Sequence, residues 1–138
     1  MATIMKFEEL DVWKLARSIV NDTYSLSKEG GFKQDYALRN QIRGSAISIL
    51  SNIAEGFESG TDKQFARYLK IAKGSAGECR AQFYIAKDQR YISQNEFRNL
   101  KKKLMICSKK MAGLISYLNG SKNRVREFEI IYETSSKV

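Results

Sequence analysis

Two long segments of this chain place apolar residues at alternating steps of four and three, and that spacing constrains the fold more than any other feature. Phe65, Leu69, Ala72, Ala76, Cys79, Phe83 and Ala86 form one seam; Phe97, Leu100, Leu104, Cys107, Met111, Leu114 and Leu118 form the other. Seven residues are close to two turns of α-helix, so each series lies on one face and must be buried against other helices. No proline occurs anywhere in the chain, so no helix is broken by a missing backbone donor.

Two earlier segments also read as helices. The first runs from about Glu8 to Lys28. It has an acidic first turn (Glu8, Glu9, Asp11), which suits the helix dipole, and Gly30–Gly31 for its stop. Leu10, Trp13, Ala16 and Val20 form its stripe, widened by Val12, Leu15, Ile19 and Leu26. The second runs from about Asp35 to Glu58. It buries Leu38, Ile42, Ile49, Ile53 and Phe57, leaves Ile47 and Leu50 off that face, and is followed by Gly60. Thr61 with Gln64, and Ser93 with Glu96, read as capping boxes opening the third and fourth helices; Ile92 and Phe97 make a hydrophobic staple around the latter. Asn119–Gly120 closes the fourth. Four such helices with short connections predict an all-α, antiparallel up-and-down four-helix bundle over residues 1–120. Beyond it, Phe128, Ile130 and Tyr132 alternate with Glu127, Glu129, Ile131 and Glu133, which makes 121–138 a short extension, either an extended arm or disordered.

A length of 138 residues fits one domain. The opening Met1–Lys6 lacks the apolar run of a signal peptide, and no stretch approaches a membrane helix. The expected location is the cytoplasm, where Cys79 and Cys107 are expected as buried, reduced thiols. Histidine is absent. Serine and cysteine nucleophiles most often need that base, and a ferritin-like di-iron site needs it as ligand. Glu55, Glu58 and Glu78 have no such helper, so capping or ion pairing is their simpler role. Lys73–Gly77 lacks the spacing of a phosphate loop; its small residues are expected to allow close packing opposite Gly44, Ser45 and Ala46. The sequence therefore predicts neither catalytic residues nor a cofactor or metal.

Three blocks carry a resemblance. The run FEELDVWKLA from Phe7 to Ala16, then Gln41–Arg43 followed by SNIAEG from Ser51 to Gly56, then FARYLKIAKGS from Phe65 to Ser75 with Glu78, resemble the 23S rRNA intervening-sequence protein family, also called S23 ribosomal protein. The likeness covers about residues 6–118. It departs at Leu50, where proline is common, and at Ala76, Gly77 and Cys79, where bulkier residues are expected. It implies a four-helix bundle assembled as a homopentamer, with no catalytic residues. The family name reflects genes lying inside intervening sequences of ribosomal RNA genes. A distantly similar fold serves as accessory subunit to the reverse transcriptase of diversity-generating retroelements, which makes a nucleic-acid enzyme a second class of partner. Within the SNIAEG block, Ser51, Asn52 and Glu55 have two readings: contact with a partner or neighbouring subunit, or satisfaction of buried polar groups. The second is the simpler.

The net charge of +9 is concentrated in one segment. Nine of the 24 basic residues lie between Arg98 and Arg126, with no acid among them, so the remaining 15 balance the 15 acids. On the fourth helix the apolar seam is expected to hold Arg98, Lys102 and Lys109 in one outer row, with Lys103 and Lys110 in a second and Lys101 nearby. A solvated face explains most charge runs. Here no acid supplies the usual i,i+4 pairs, which favours a surface for RNA or DNA phosphates. Arg39 and Arg43 on the second helix, with Lys63, Arg67 and Lys70 on the third, are expected to extend it.

Overall fold

The structure, a computed structural model, describes residues 3–120; the expected 121–138 extension lies outside them. A 3-10 turn over Phe7–Glu9 precedes α1 (Asp11–Ser27), the short α2 (Gly30–Gln34), α3 (Tyr36–Glu58), α4 (Asp62–Asp88) and α5 (Gln94–Gly120). The expected all-helical fold is present, with no strand among the described residues. The four long helices form a ring: α4 packs most extensively on α3 and α5, and α1 closes the circuit against the same two. Side-chain contacts fix the α3/α4 direction. Ser45 meets Gln82, Ser48 meets Ser75, and Gly56 meets Phe65 and Tyr68, so one number falls as the other rises.

Every residue of the two heptad seams is buried. The Ser93 box closes completely: the Ser93 amide donates to Glu96 Oε1 at 2.8 Å and the Glu96 amide to Ser93 Oγ at 3.0 Å. Ile92 and Phe97 lie in the same buried cluster. Thr61 Oγ1 accepts from the Gln64 amide at 3.2 Å, while the Gln64 carboxamide accepts from Arg67 Nε. Gly60, at φ +91°, makes the turn between α3 and α4.

The first helix differs from expectation. Glu8 and Glu9 belong to the 3-10 turn, because Leu10 is extended and restarts the chain. Glu9 instead accepts from the Met5 and Lys6 amides, which holds its carboxyl below the ordinary range. The buried stripe of α1 is Val12, Ala16, Ile19, Thr23 and Ser27. It passes through two hydroxyl residues that hydropathy does not credit: Thr23 donates to the Ile19 carbonyl at 2.7 Å, and Ser27 accepts from Arg43 Nε at 2.8 Å. Nor do Gly30 and Gly31 simply stop α1. Gly30, at φ +52°, turns the chain into α2, whose Phe32 is fully buried and stacks on Tyr91.

The expected packing role of the glycines also moves. A Cβ added at Gly44, Gly74 or Gly77 would meet nothing within 4 Å, so none of them brings helices of this chain together. Gly56 does: its Cβ would lie 2.7 Å from Tyr68 Cβ and 3.1 Å from Phe65 Cδ1. Gly56→Ala is therefore expected to destabilise the fold by about 1–3 kcal/mol through overpacking, despite the roughly 1 kcal/mol that alanine gains in helix propensity. Urea unfolding monitored at Trp13 measures the balance; a midpoint that rose would mean the two helices do not meet there.

Candidate nucleic-acid interface

A helix turns about 100° per residue, so neighbours in the basic run of α5 face different surroundings. Arg98, Lys102 and Lys109 are exposed and share the outer face. Lys103 turns toward α1, where its Nζ donates to Ser18 Oγ at 2.7 Å and to Asp22 Oδ2 at 2.5 Å. Lys110, a heptad further on, is buried. The expected outer row of Lys103 and Lys110 is thus corrected, because both stand on the α1 side, where Asp22 takes Lys103.

Lys101 turns the other way, onto α4. Its Nζ lies 5.6 Å from the centroid of the exposed Tyr84 ring. Lys87 Nζ stands 5.4 Å from the same ring and 4.9 Å from Phe97, which meets Tyr84 edge-on at 4.7 Å. A hydrogen bond from Lys101, followed by the charges of Lys101, Lys87 and Arg80, holds the Tyr84 phenol below its ordinary pKa. The result is an aromatic plate surrounded by cations, beside the outer row of α5. Sequence reasoning found Lys101 but missed Arg80, Tyr84 and Lys87. Their spacing of four and three, on the strip beside the apolar seam, was the available signal.

The second group does not extend this surface. Arg43 is half-buried against α1, bonded to Ser27 and stacked 4.5 Å over Tyr24. Arg39 donates to the Lys33 carbonyl at 3.0 Å and covers Tyr36. Lys63, Arg67 and Lys70 are exposed in the first turns of α4, and the antiparallel register puts them at the opposite end of the bundle from Arg39 and Arg43. Arg67 bonds Gln64 and lies over Tyr68.

Ser51 and Glu55 are exposed, so only Asn52 satisfies internal polar groups: its amide donates to the Ser48 carbonyl and hydroxyl at 2.8 and 3.1 Å. Glu58 and Glu78 are exposed as well. No group of three His, Cys, Asp or Glu that could hold a metal occurs among the described residues. None of the described helices is long and apolar enough to cross a membrane.

Fold and surface together define a class: a helical bundle whose cations and aromatic rings are gathered along the seam of two antiparallel helices. The chain belongs to the 23S rRNA-intervening sequence protein family, whose model matches residues 8–113. It is similar to a solved structure of a protein with unknown function from the S23 ribosomal protein family of Bacteroides thetaiotaomicron. That likeness has 19% identity and a TM-score of 0.70, covering 81% of this chain and 99% of the other. At that identity it establishes the shared fold. No curated protein matches the chain.

Cys79 and Cys107 are buried free thiols. Burial pushes Cys79 up to about 11 and Cys107 up to about 12, from 9.0. A folded pKa above the unfolded one gives stability that is full below the unfolded value and lost as pH rises through the folded values. The urea midpoint is therefore expected to fall from pH 9.0 towards about 11, and Cys79→Ala with Cys107→Ala should flatten that fall. A native chain whose thiols react with a disulfide reagent at pH 8 as fast as in urea would contradict the burial.

Proposed function

We propose that the chain acts without catalysis, as a self-associating helical scaffold in the cytoplasm that holds RNA or DNA on its α4–α5 face. The observation that carries this reading is the exposed row of Arg98, Lys102 and Lys109 beside Tyr84 with its surrounding cations Arg80, Lys87 and Lys101. The sequence from Arg98 to Gly120 contains no acid. Such a ridge neutralises phosphates without reading sequence, and an exposed ring offers a platform on which an unpaired base stacks. The family's description, which refers to intervening sequences of 23S rRNA, supports RNA as the first ligand to try.

Self-association is supported by a second set of heptad spacings, this one on the surface. On α4, Ile71, Gly74, Glu78, Ala81 and Ile85 alternate by three and four and are all exposed; on α3, Gly44, Ile47 and Ser51 do the same. Ile47, Ile71 and Ile85 keep 40%, 44% and 48% of their surface. Glycine inside a helix costs about 1 kcal/mol relative to alanine, and the packing of a single chain gives Gly44 and Gly74 no compensating neighbour. A second copy's helix laid on this face supplies one and covers the isoleucines. Five copies, as the family resemblance implies, would multiply the +9 excess fivefold and strengthen phosphate attraction. The same face favours the second reading, a seat for a protein partner such as a nucleic-acid enzyme.

Purified protein titrated into structured RNA and duplex DNA at low and physiological salt tests the first part. Arg98→Glu with Lys102→Glu is expected to flatten the plot of log affinity against log salt by about 0.9 for each duplex phosphate no longer neutralised. Tyr84→Ala should weaken single-strand binding by about 1–3 kcal/mol and spare duplex. Affinity unmoved by the charge reversals would overturn the phosphate reading. Light scattering tests assembly: Ile71→Asp with Ile85→Asp should yield monomers, and an unchanged mass would remove α4's outer face from the interface.

A further inference from the structure

Arg39 and Arg43, which the fold separates from the α4–α5 face, come together with α1 on another side of the ring. The long helices pack in the order α1, α3, α4, α5 and back to α1, so the α1–α3 seam lies diagonally across from the α4–α5 seam. Cations lie over aromatic rings three times along it. Arg17 stands 5.8 Å from the Trp13 centroid, Arg43 4.5 Å from Tyr24, and Arg39 4.7 Å from Tyr36. Tyr24 and Tyr36 keep 40% and 63% of their surface. Arg17, Tyr24 and Lys28 are all exposed and follow at steps of seven and four, which is one side of a helix.

The charge on this seam is not balanced locally. No acid occurs from Tyr36 to Ala54, and Asp22 is the one acid between Val12 and Lys28. Asp22 turns to α5 and takes Lys103. Asp35 is held by the Leu38 amide and the Tyr91 hydroxyl, and Glu29 stands only at the end of the strip, after Lys28. Two arginines are also fixed in place: Arg43 Nε donates to Ser27 Oγ, and Arg39 donates to the Lys33 carbonyl. Those bonds hold the guanidinium planes over the rings. A guanidinium carries five N–H donors in its plane, so an arginine fixed by one edge can still meet a phosphate at another.

We infer that the α1–α3 seam is a second seat for single-stranded nucleic acid, with bases stacked on the Tyr24–Arg43 and Tyr36–Arg39 layers and phosphates met by Arg17 and Lys28. Stacking on rings and guanidinium planes accepts any base, provided that it is not already stacked in a duplex. Seats on two separate seams let one chain hold two strands at once. This last consequence rests on the reading of the α4–α5 face given under Proposed function; the seat itself does not.

The test uses the full-length chain and a short unpaired RNA, with affinity read by fluorescence anisotropy and mass by light scattering. Arg98→Glu, Lys102→Glu and Tyr84→Ala together disable the first face. In that background RNA binding should persist, and adding Tyr24→Ala or Tyr36→Ala should weaken it about fivefold or more. Tyr24→Phe, which keeps the ring, should leave it unchanged. Background binding indifferent to both tyrosines would overturn the second seat, as would its complete loss in a background variant whose parent binds RNA. A mass that falls on Tyr24→Ala would overturn it too, because another copy would then cover the seam. Saturation of the unaltered chain at one RNA per chain, with the Tyr24 effect intact, would overturn the simultaneous holding and leave the seat in place. An unaltered chain that binds no RNA at low salt would overturn this inference and the α4–α5 reading together.

Discussion

The close approach of α3 and α4 is the constraint on which the rest of the bundle depends. The two helices are pinned at three heights. Gly56 admits the Tyr68 Cβ at one end, the Ser48 and Ser75 hydroxyls hydrogen-bond to each other at 2.8 Å in the middle, and Ser45 donates to Gln82 at the other end. Gln82 passes its own amide to Gln41 at 3.4 Å. A slip of one turn would strand a buried carboxamide, which costs far more than a matched pair contributes. With that register set, the small residues Ala72, Ala76 and Cys79 let α4 seat deeply, and the Phe97–Leu118 seam of α5 follows against its flank.

This dependence explains which parts of the molecule were legible in the sequence. The core faces of α3, α4 and α5 could be read because apolar side chains carry most of their period, although Ser45, Gln82 and Lys110 are buried with them. The core face of α1 was misplaced because it runs through Thr23 and Ser27, whose partners are an internal carbonyl and an arginine 16 residues away. The glycines misled for a related reason. Spacing shows that a small residue recurs on a face, but only the neighbouring helix shows whether anything fills the space, and it does so at Gly56 and not at Gly74.

The basic run was legible as a segment and not as a site. Its charge is a property of the sequence, whereas its division among three faces follows from what stands on each side. Asp22 takes Lys103, the aromatic pair of Tyr84 and Phe97 takes Lys101, and only the outermost residues stay in a row. The Lys103–Asp22 pair is about one-third exposed on each side. Screened to that degree it adds little stability, so its main effect is to remove one cation from the exposed row and to tie α5 to α1.

Asp35 has a wider reach than a helix cap needs. One carboxylate oxygen accepts from the Leu38 amide at 3.1 Å and starts α3; the other accepts the Tyr91 hydroxyl at 3.0 Å, from the connection between α4 and α5. Phe32, stacked on the same ring, completes the corner. Two places usually treated as local, a helix end and a tight connection, are therefore joined through one carboxylate in this molecule. They share one acid across 56 residues of chain. Opening of the α4–α5 corner removes one of the two hydrogen bonds that hold the Asp35 carboxylate at the start of α3.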